Sequence, residues 1–170
     1  MYKVEPIYEL ITKEELIRIR SVANIQFGRG CGKALFPEDD LMVTRSKKTG
    51  KAKNIYHNGK LIATLRPRDG FLALSLEGAK RLASFLPESK YKVFVKDEAV
   101  EFVKKGRNLF SKHVASCDQE IRPGEEVIVM DCRGNVIAVG KAILNGKEMG
   151  RFMNGIAVKI RSGIDEENES

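Results

Sequence analysis

The side chains best suited to metal ligation or nucleophilic chemistry in these 170 residues are three cysteines, Cys31, Cys117 and Cys132, and two histidines, His57 and His113. Their spacing serves neither purpose. No two cysteines form a C-x-x-C pair, an odd number of isolated cysteines gives no disulfide framework, and no histidine stands at metal-site spacing. They read as buried or idle thiols in a reducing compartment. A glycine cluster at 28–34, GRGCGKA, resembles a phosphate loop only superficially: a Walker loop needs four residues between its first glycine and the Gly-Lys pair, then Ser or Thr, whereas three separate Gly28 from Gly32-Lys33 and Ala34 follows. Asp69, Glu77, His113 and Asp118 are the polar residues an enzyme could recruit, and they share no spacing that defines a site. The sequence thus implies no metal, no cofactor and no catalysis.

The chemistry that the residue types do support is contact with a polyanion. The formal charge is +7 and unevenly placed: residues 1–90 hold 17 Lys and Arg against 10 Asp and Glu, whereas residues 91–170 hold 13 of each. Positions 41–68 carry Arg45, Lys47, Lys48, Lys51, Lys53, Lys60, Arg66 and Arg68 without a single acid. A one-sign field of that density attracts a polyanion and speeds encounter with it, whereas a merely solvated face mixes its signs. The same stretch reads as strands and not as a basic amphipathic helix, which disfavours a membrane surface. No apolar run approaches the roughly 20 residues needed to cross a bilayer, and the N-terminal MYKVEPIYEL carries two acids where a signal peptide has an apolar core, so a cytoplasmic location is expected.

The elements that would position these cations follow from periodicity. Thr12 and Glu15 form a capping box ahead of Leu16, Ile19, Ala23 and Phe27, predicting a helix from Lys13 to Gln26. The glycines of residues 27–37 are expected to break regular structure. The period then becomes two: strands are predicted at 41–47, 52–57, 60–66 and 71–75, separated by Lys48-Thr49-Gly50, Asn58-Gly59 and Pro67-Arg68-Asp69-Gly70. In the third strand, alternation sets Leu61, Ala63 and Leu65 opposite Lys60, Ile62, Thr64 and Arg66. A helix over 76–86 would cover the packed face of this antiparallel meander. After a polar joint at 87–90, a strand over 91–95 leads to a helix capped by Asp97 and stopped by a left-handed Gly106. Strands at 126–131 and 136–144, the latter bulged at Gly140, a turn of helix over 147–153, and a strand at 156–161 complete the chain.

Residues 91–165 resemble a PUA domain, the small pseudo-barrel found at the end of pseudouridine synthases and archaeosine transglycosylases. The resemblance rests on GRNLFSKHV after the helix, IRPGEEVIVMD, NVIAVGKAIL and the closing MNGIAVKIRSGID. The wording is similar to the archaeal tRNA-guanine transglycosylase version. IQFGRGCGKALFP and VTRSKKTGKAKNIYHNGKLIATLRPRDGFLALSLEGAKRL are similar to the domain that precedes the PUA domain there. The implied fold is α+β: an N-terminal helix plus antiparallel meander domain, residues 1–88, followed by a C-terminal PUA-like pseudo-β-barrel, residues 91–165, with a frayed tail at 166–170. Those transglycosylases work through a large (β/α)-barrel of roughly 250 residues, for which this chain has no room.

The resemblance implies RNA lying beside the first helix of the PUA-like half and the glycine-led loop after it, at Lys104, Lys105, Gly106, Arg107, Asn108 and Lys112, with Lys141 and Arg161 as further candidates on strands. Glycine lets a backbone approach a phosphate, Arg107 can fork to phosphate or a base edge, and Asn108 can read an edge. Arg45, Lys47, Lys48, Lys51 and Lys53 would form a second, purely electrostatic contact. Phe110 and Phe152 sit in apolar neighbourhoods and are expected in the core, which leaves no exposed aromatic row and favours structured RNA, tRNA by resemblance, held from its acceptor-stem side. The expectation is a noncatalytic tRNA-binding protein connected with tRNA base modification, acting alongside a separate modifying enzyme. Its alternatives are the RNA-binding subunit of a split transglycosylase-type enzyme, an enzyme in its own right, and a ribosome-assembly interaction module.

Overall fold

The computed structural model describes residues 4–37 and 39–166, and the chain divides into two compact units, Met1–Phe85 and Leu86–Ser170. Each is built around its own sheet, one helix-covered and one nearly closed.

In the first unit the capping box forms as predicted. Thr12 Oγ1 accepts from the Glu15 backbone, the Glu15 carboxylate accepts from the Thr12 backbone, and α1 runs over Lys13–Phe27. Its buried residues, Leu16, Ile19, Ala23 and Phe27, lie along one stripe. The glycine cluster is not irregular: Cys31–Leu35 forms a short helix, α2, that packs on α1. A Cβ at Gly32 would overlap the Arg20 carbonyl, and the Gly32 N–H donates to Asn24 Oδ1 at 2.7 Å. Gly32 therefore serves close helix–helix approach.

The meander has five strands, not four, in the order β1 (Glu9–Leu10), β2 (Met42–Arg45), β3 (Ala52–His57), β4 (Lys60–Leu65) and β5 (Leu72–Leu74), all antiparallel. Two-residue β1 is too short to show a period. Asn58 and Gly59, with φ of 50° and 76°, make the β3–β4 hairpin turn. Val43, Ile55, Ala63 and Leu74 pair in succession across the buried face. Contrary to simple alternation, Ile62 is 0% exposed beside Ala63, because a bulge opposite Ile55/Tyr56 leaves it unpaired and turns it inward. The edge strand β5 is closed by a side chain: the Gln26 amide accepts from Leu72 N at 2.8 Å and donates to Leu72 O at 2.9 Å. The helix α3, Leu76–Phe85, follows.

The second unit contains β6 (Lys92–Val95), α4 (Asp97–Lys104), β7 (Leu109–Phe110), a single 3-10 turn at Ser111–His113, β8 (Val114–Cys117), β9 (Glu126–Met130), β10 (Val136–Ala142) and β11 (Ile156–Gly163). Its sheet order is β7-β11-β10-β9-β6-β8, nearly closed on itself, with only β6–β9 parallel. Val93, Val95, Val103, Leu109, Val127, Ile137 and Val158 are among the residues of its core. The α+β architecture predicted from the sequence, helix and meander followed by a pseudo-barrel, is what the chain adopts. Local details differ. Lys96 and not Asp97 is the cap of α4, with Asp97 inside the first turn; the strands β7 and β8 add to the predicted set; and 146–151 forms successive hydrogen-bonded turns instead of helix. In the expected tail, Glu166 lies in a turn and 167–170 fall outside the described residues. Among the described residues no helix is long and apolar enough to cross a membrane.

Candidate nucleic-acid interface

The end of α4 is shaped by Gly106. At φ 85° it is left-handed, its N–H donates to Val103 O at 2.9 Å and the Arg107 N–H to Phe102 O at 3.1 Å, the paired bonds of a Schellman stop. That turn swings the chain out of the helix with Lys105 and Arg107 exposed on either side of bare glycine backbone. Neither side chain has an ion-pair partner among the described residues, and the same holds for exposed Lys112. Lys104 is half-buried and leans on Glu101, 3.4 Å away. Asn108 has a structural bond: its Oδ1 accepts from Ile160 N at 3.0 Å, adding a rung to the two-residue pairing of β7 with β11. Its amide N–H groups remain to act as donors.

The strand candidates part company. Lys141 is exposed on β10 directly opposite Lys159 on β11. Like charges facing across a ladder cost free energy, so the pair is a place where an anion is favoured. Lys159 is not among the candidates that the sequence suggests, since only the register makes the pair. Arg161 is the extra residue of the bulge opposite Val139/Gly140. Its guanidinium forks onto Glu126 on β9, at 2.8 and 2.5 Å, with the carboxylate side chain 0% exposed. Its fork is thus occupied by a buried acid, and Arg161 leaves the set of free phosphate donors.

On the first unit, Arg45 is likewise engaged. It donates to Glu9 and, at 2.5 and 3.2 Å, to both oxygens of Glu15, so it ties β2 to β1 and to the first turn of α1. The Arg45 hydrogen bonds hold the Glu15 carboxyl below its ordinary value and raise Arg45 further. Lys47, Lys48, Lys51 and Lys53 remain exposed around the β2–β3 turn, without partners among the described residues. Exposed Lys60 opens β4 just after the Asn58-Gly59 turn and exposed Arg68 sits in the β4–β5 turn, whereas Arg66 pairs with Asp69 at 3.1 Å.

The aromatic expectation is corrected. Phe110 and Phe152 are each 46% exposed and Met153 is 77% exposed. Phe110 lies at the short outer strand β7, and Phe152 and Met153 in the loop before β11, whose Gly155 carbonyl accepts from Ser111 N. Apolar neighbours in sequence do not imply an apolar environment here, because a two-residue edge strand buries only every second side chain.

The residues an enzyme could have recruited do local work. Asp118 accepts from Tyr91 N and Glu120 N, Asp69 from Phe71 N, and His113 meets Glu98 at 3.3 Å. Burial pushes the Cys31 and Cys117 thiols up, away from thiolate character. Among the described residues, no three His, Cys, Asp or Glu side chains gather to hold a metal ion.

Two family models match the chain: the patch-forming domain C2 of tRNA-guanine transglycosylase over residues 17–89, and the PUA domain over residues 91–164. The tRNA-guanine(15) transglycosylase of Thermococcus onnurineus is 41% identical over 147 residues, 86% of this chain and 25% of that protein. That of Thermoplasma volcanium is 40% identical over 168 residues, 98% of this chain and 26% of that protein. The chain thus spans about a quarter of the length of the curated relatives it matches and is similar to their C-terminal region. Among solved structures, a hypothetical protein of Pyrococcus horikoshii superposes with a TM-score of 0.74 at 19% identity, covering 96% of this chain and all of that one, a likeness of fold alone.

Proposed function

We propose that this chain, a patch-forming C2 domain of the tRNA-guanine transglycosylase kind followed by a PUA domain, binds structured RNA without transforming it: tRNA, gripped from its acceptor-stem side, in the service of base modification. The observation that carries the reading is the α4 stop, where left-handed Gly106 sets backbone without a side chain between the exposed cations Lys105 and Arg107, unpaired among the described residues, with Lys112 a short way beyond. A phosphate can approach a glycine more closely than any other residue, and Arg107 can fork onto it. The facing lysines Lys141 and Lys159 give a second point of anion affinity on the same unit. The lysines of the β2–β3 turn supply a sequence-independent contact whose strength falls with salt. Arg45 and Arg161 act from behind, holding the elements in place.

Nothing in this set transfers a base. On this reading the chain holds RNA for a modifying enzyme that supplies the chemistry. A second reading, that the chain is the RNA-binding subunit of a split transglycosylase-type enzyme, is in keeping with its similarity to the C-terminal region of those relatives.

The test is incubation of the purified protein with unfractionated tRNA and labelled guanine. Binding at low salt with no label entering the tRNA is expected. Absence of binding, or label incorporated by this protein without any added partner enzyme, contradicts the proposal.

A further inference from the structure

The chain's own acid occupies the glycine lip. β11 ends at Gly163, whose backbone lies so close to α4 that a Cβ there would overlap the Lys104 carbonyl. The Asp165 N–H then donates to Lys104 O at 3.0 Å, and the Glu166 N–H to Gly163 O at 3.1 Å. This turn carries the Glu166 side chain back over the helix stop, where a Cβ on Gly106 would fall on its carboxylate. The other carboxylate oxygen accepts weakly from Gly163 N, at 3.4 Å. A carboxylate oxygen thus sits against the bare glycine backbone, the position an RNA phosphate oxygen would take.

The helix does not explain this placement. The C-terminal end of a helix is the negative end of its dipole and disfavours an acid. Opposing that is the basic run Lys104, Lys105 and Arg107 that brackets Gly106. Glu166 is exposed, and such an acid is held loosely enough for a competing anion to displace it.

Resting on the RNA-binding reading above, we propose that Glu166 is an internal stand-in for the RNA phosphate at Gly106, so that RNA must displace the turn following β11 before it occupies the lip. The competition is between one carboxylate and one phosphate for the same few ångströms. RNA binding at this lip is therefore weaker than its cations alone would give, and ligand binding releases the Glu166 side chain.

Glu166→Gln is the informative change, because a glutamine oxygen still accepts from Gly163 N while the charge disappears. Affinity for unfractionated tRNA would be measured at two salt concentrations for wild type, Glu166→Gln and Glu166→Ala, with Glu120→Gln, the same charge change on a different exposed loop of the unit, and Arg107→Ala. Glu166→Gln and Glu166→Ala should each bind about three- to fivefold tighter at low salt, and Glu120→Gln distinctly less so. The salt dependence of both Glu166 variants should steepen, since the emptied lip now carries counterions for RNA to release. Arg107→Ala should weaken binding. If Arg107→Ala weakens binding while the Glu166 variants match wild type, or gain no more than Glu120→Gln, RNA uses the lip but Glu166 does not guard it, and this inference falls alone. Unchanged binding in Arg107→Ala removes RNA from the lip, and both proposals fall together.

Discussion

Arg161 invites the most quantitative prediction, because its guanidinium satisfies both oxygens of a carboxylate that has no exposure of its own. Arg161→Met removes the fork while keeping much of the aliphatic length, and it leaves Glu126 as a buried charge without its cation. Breaking a buried pair from one side costs about 3–5 kcal/mol. The Arg161 side chain is 36% exposed, so water can reach part of the gap, and the expected loss falls at or just below the bottom of that range, about 2–3 kcal/mol. At about 4–8 °C per kcal/mol for a unit of this size, Tm of the second unit should drop by roughly 10–20 °C. Urea denaturation followed by circular dichroism would give the free energy directly, with an unchanged slope if the native and unfolded states keep their compactness. Removing both charges in Glu126→Leu/Arg161→Met should restore stability to within about 1 kcal/mol of wild type, since no lone charge remains. The reasoning is refuted by a single-variant loss below about 1 kcal/mol, or by a double variant as unstable as the single. The double variant should also bind tRNA with a salt slope near that of wild type; a lower slope would return Arg161 to the residues that grip RNA.

Gly106→Ala forces a Cβ into a left-handed conformation at φ 85°, which should cost about 1–2 kcal/mol in thermal unfolding; a neutral or stabilising result would mean that the turn relaxes into another conformation. Gln26→Ala deletes both amide bonds to Leu72 and leaves a β5 rung open, with an expected loss of about 1–2 kcal/mol in urea titration; a loss of only a few tenths would show water replacing the amide at no cost. Glu15 gives a pH signature. Its carboxyl is held down in the folded state by Arg45, so the stabilisation is fully present above the unfolded value near pH 4.5 and is lost as pH falls through the lower folded value. Arg45→Gln should therefore destabilise the first unit at pH 7 and flatten its decline on the acid side, and parallel stability–pH curves for the two proteins would show that the pair contributes nothing.

What the sequence reveals is what its residues decide locally. The Thr12–Glu15 box and the Gly106 stop are each settled within a few residues, and both form at the predicted positions. So do β3 and the Asn58-Gly59 turn, where period and turn chemistry agree. Alternation puts Ile62 on the wrong face because a bulge resets the period, and a bulge is a property of two strands. The helix α2 lies hidden in a glycine cluster, and the role of Gly32 in letting two helices approach is visible only once it meets the Arg20 carbonyl. Among the cations, charge alone cannot tell a free side chain from one claimed by a distant acid: Arg45 meets Glu15 and Arg161 meets Glu126 across 30 and 35 positions. The contact of Glu166 with Gly106 joins residues still further apart in the chain.

On the proposed reading, exposed cations on both units hold RNA through its phosphates. The direct measurement is the affinity for unfractionated tRNA as a function of salt, for wild type, Arg107→Glu and a Lys47/Lys48/Lys51 triple alanine variant. Both variants should bind more weakly, and the slope of log affinity on log salt should shrink by about 0.7–0.9 for each phosphate that is no longer neutralised, most in the triple variant. If wild type binds no tRNA at low salt, or the variants leave affinity and slope unchanged, the cations are a solvated surface and the chain does not act by holding RNA.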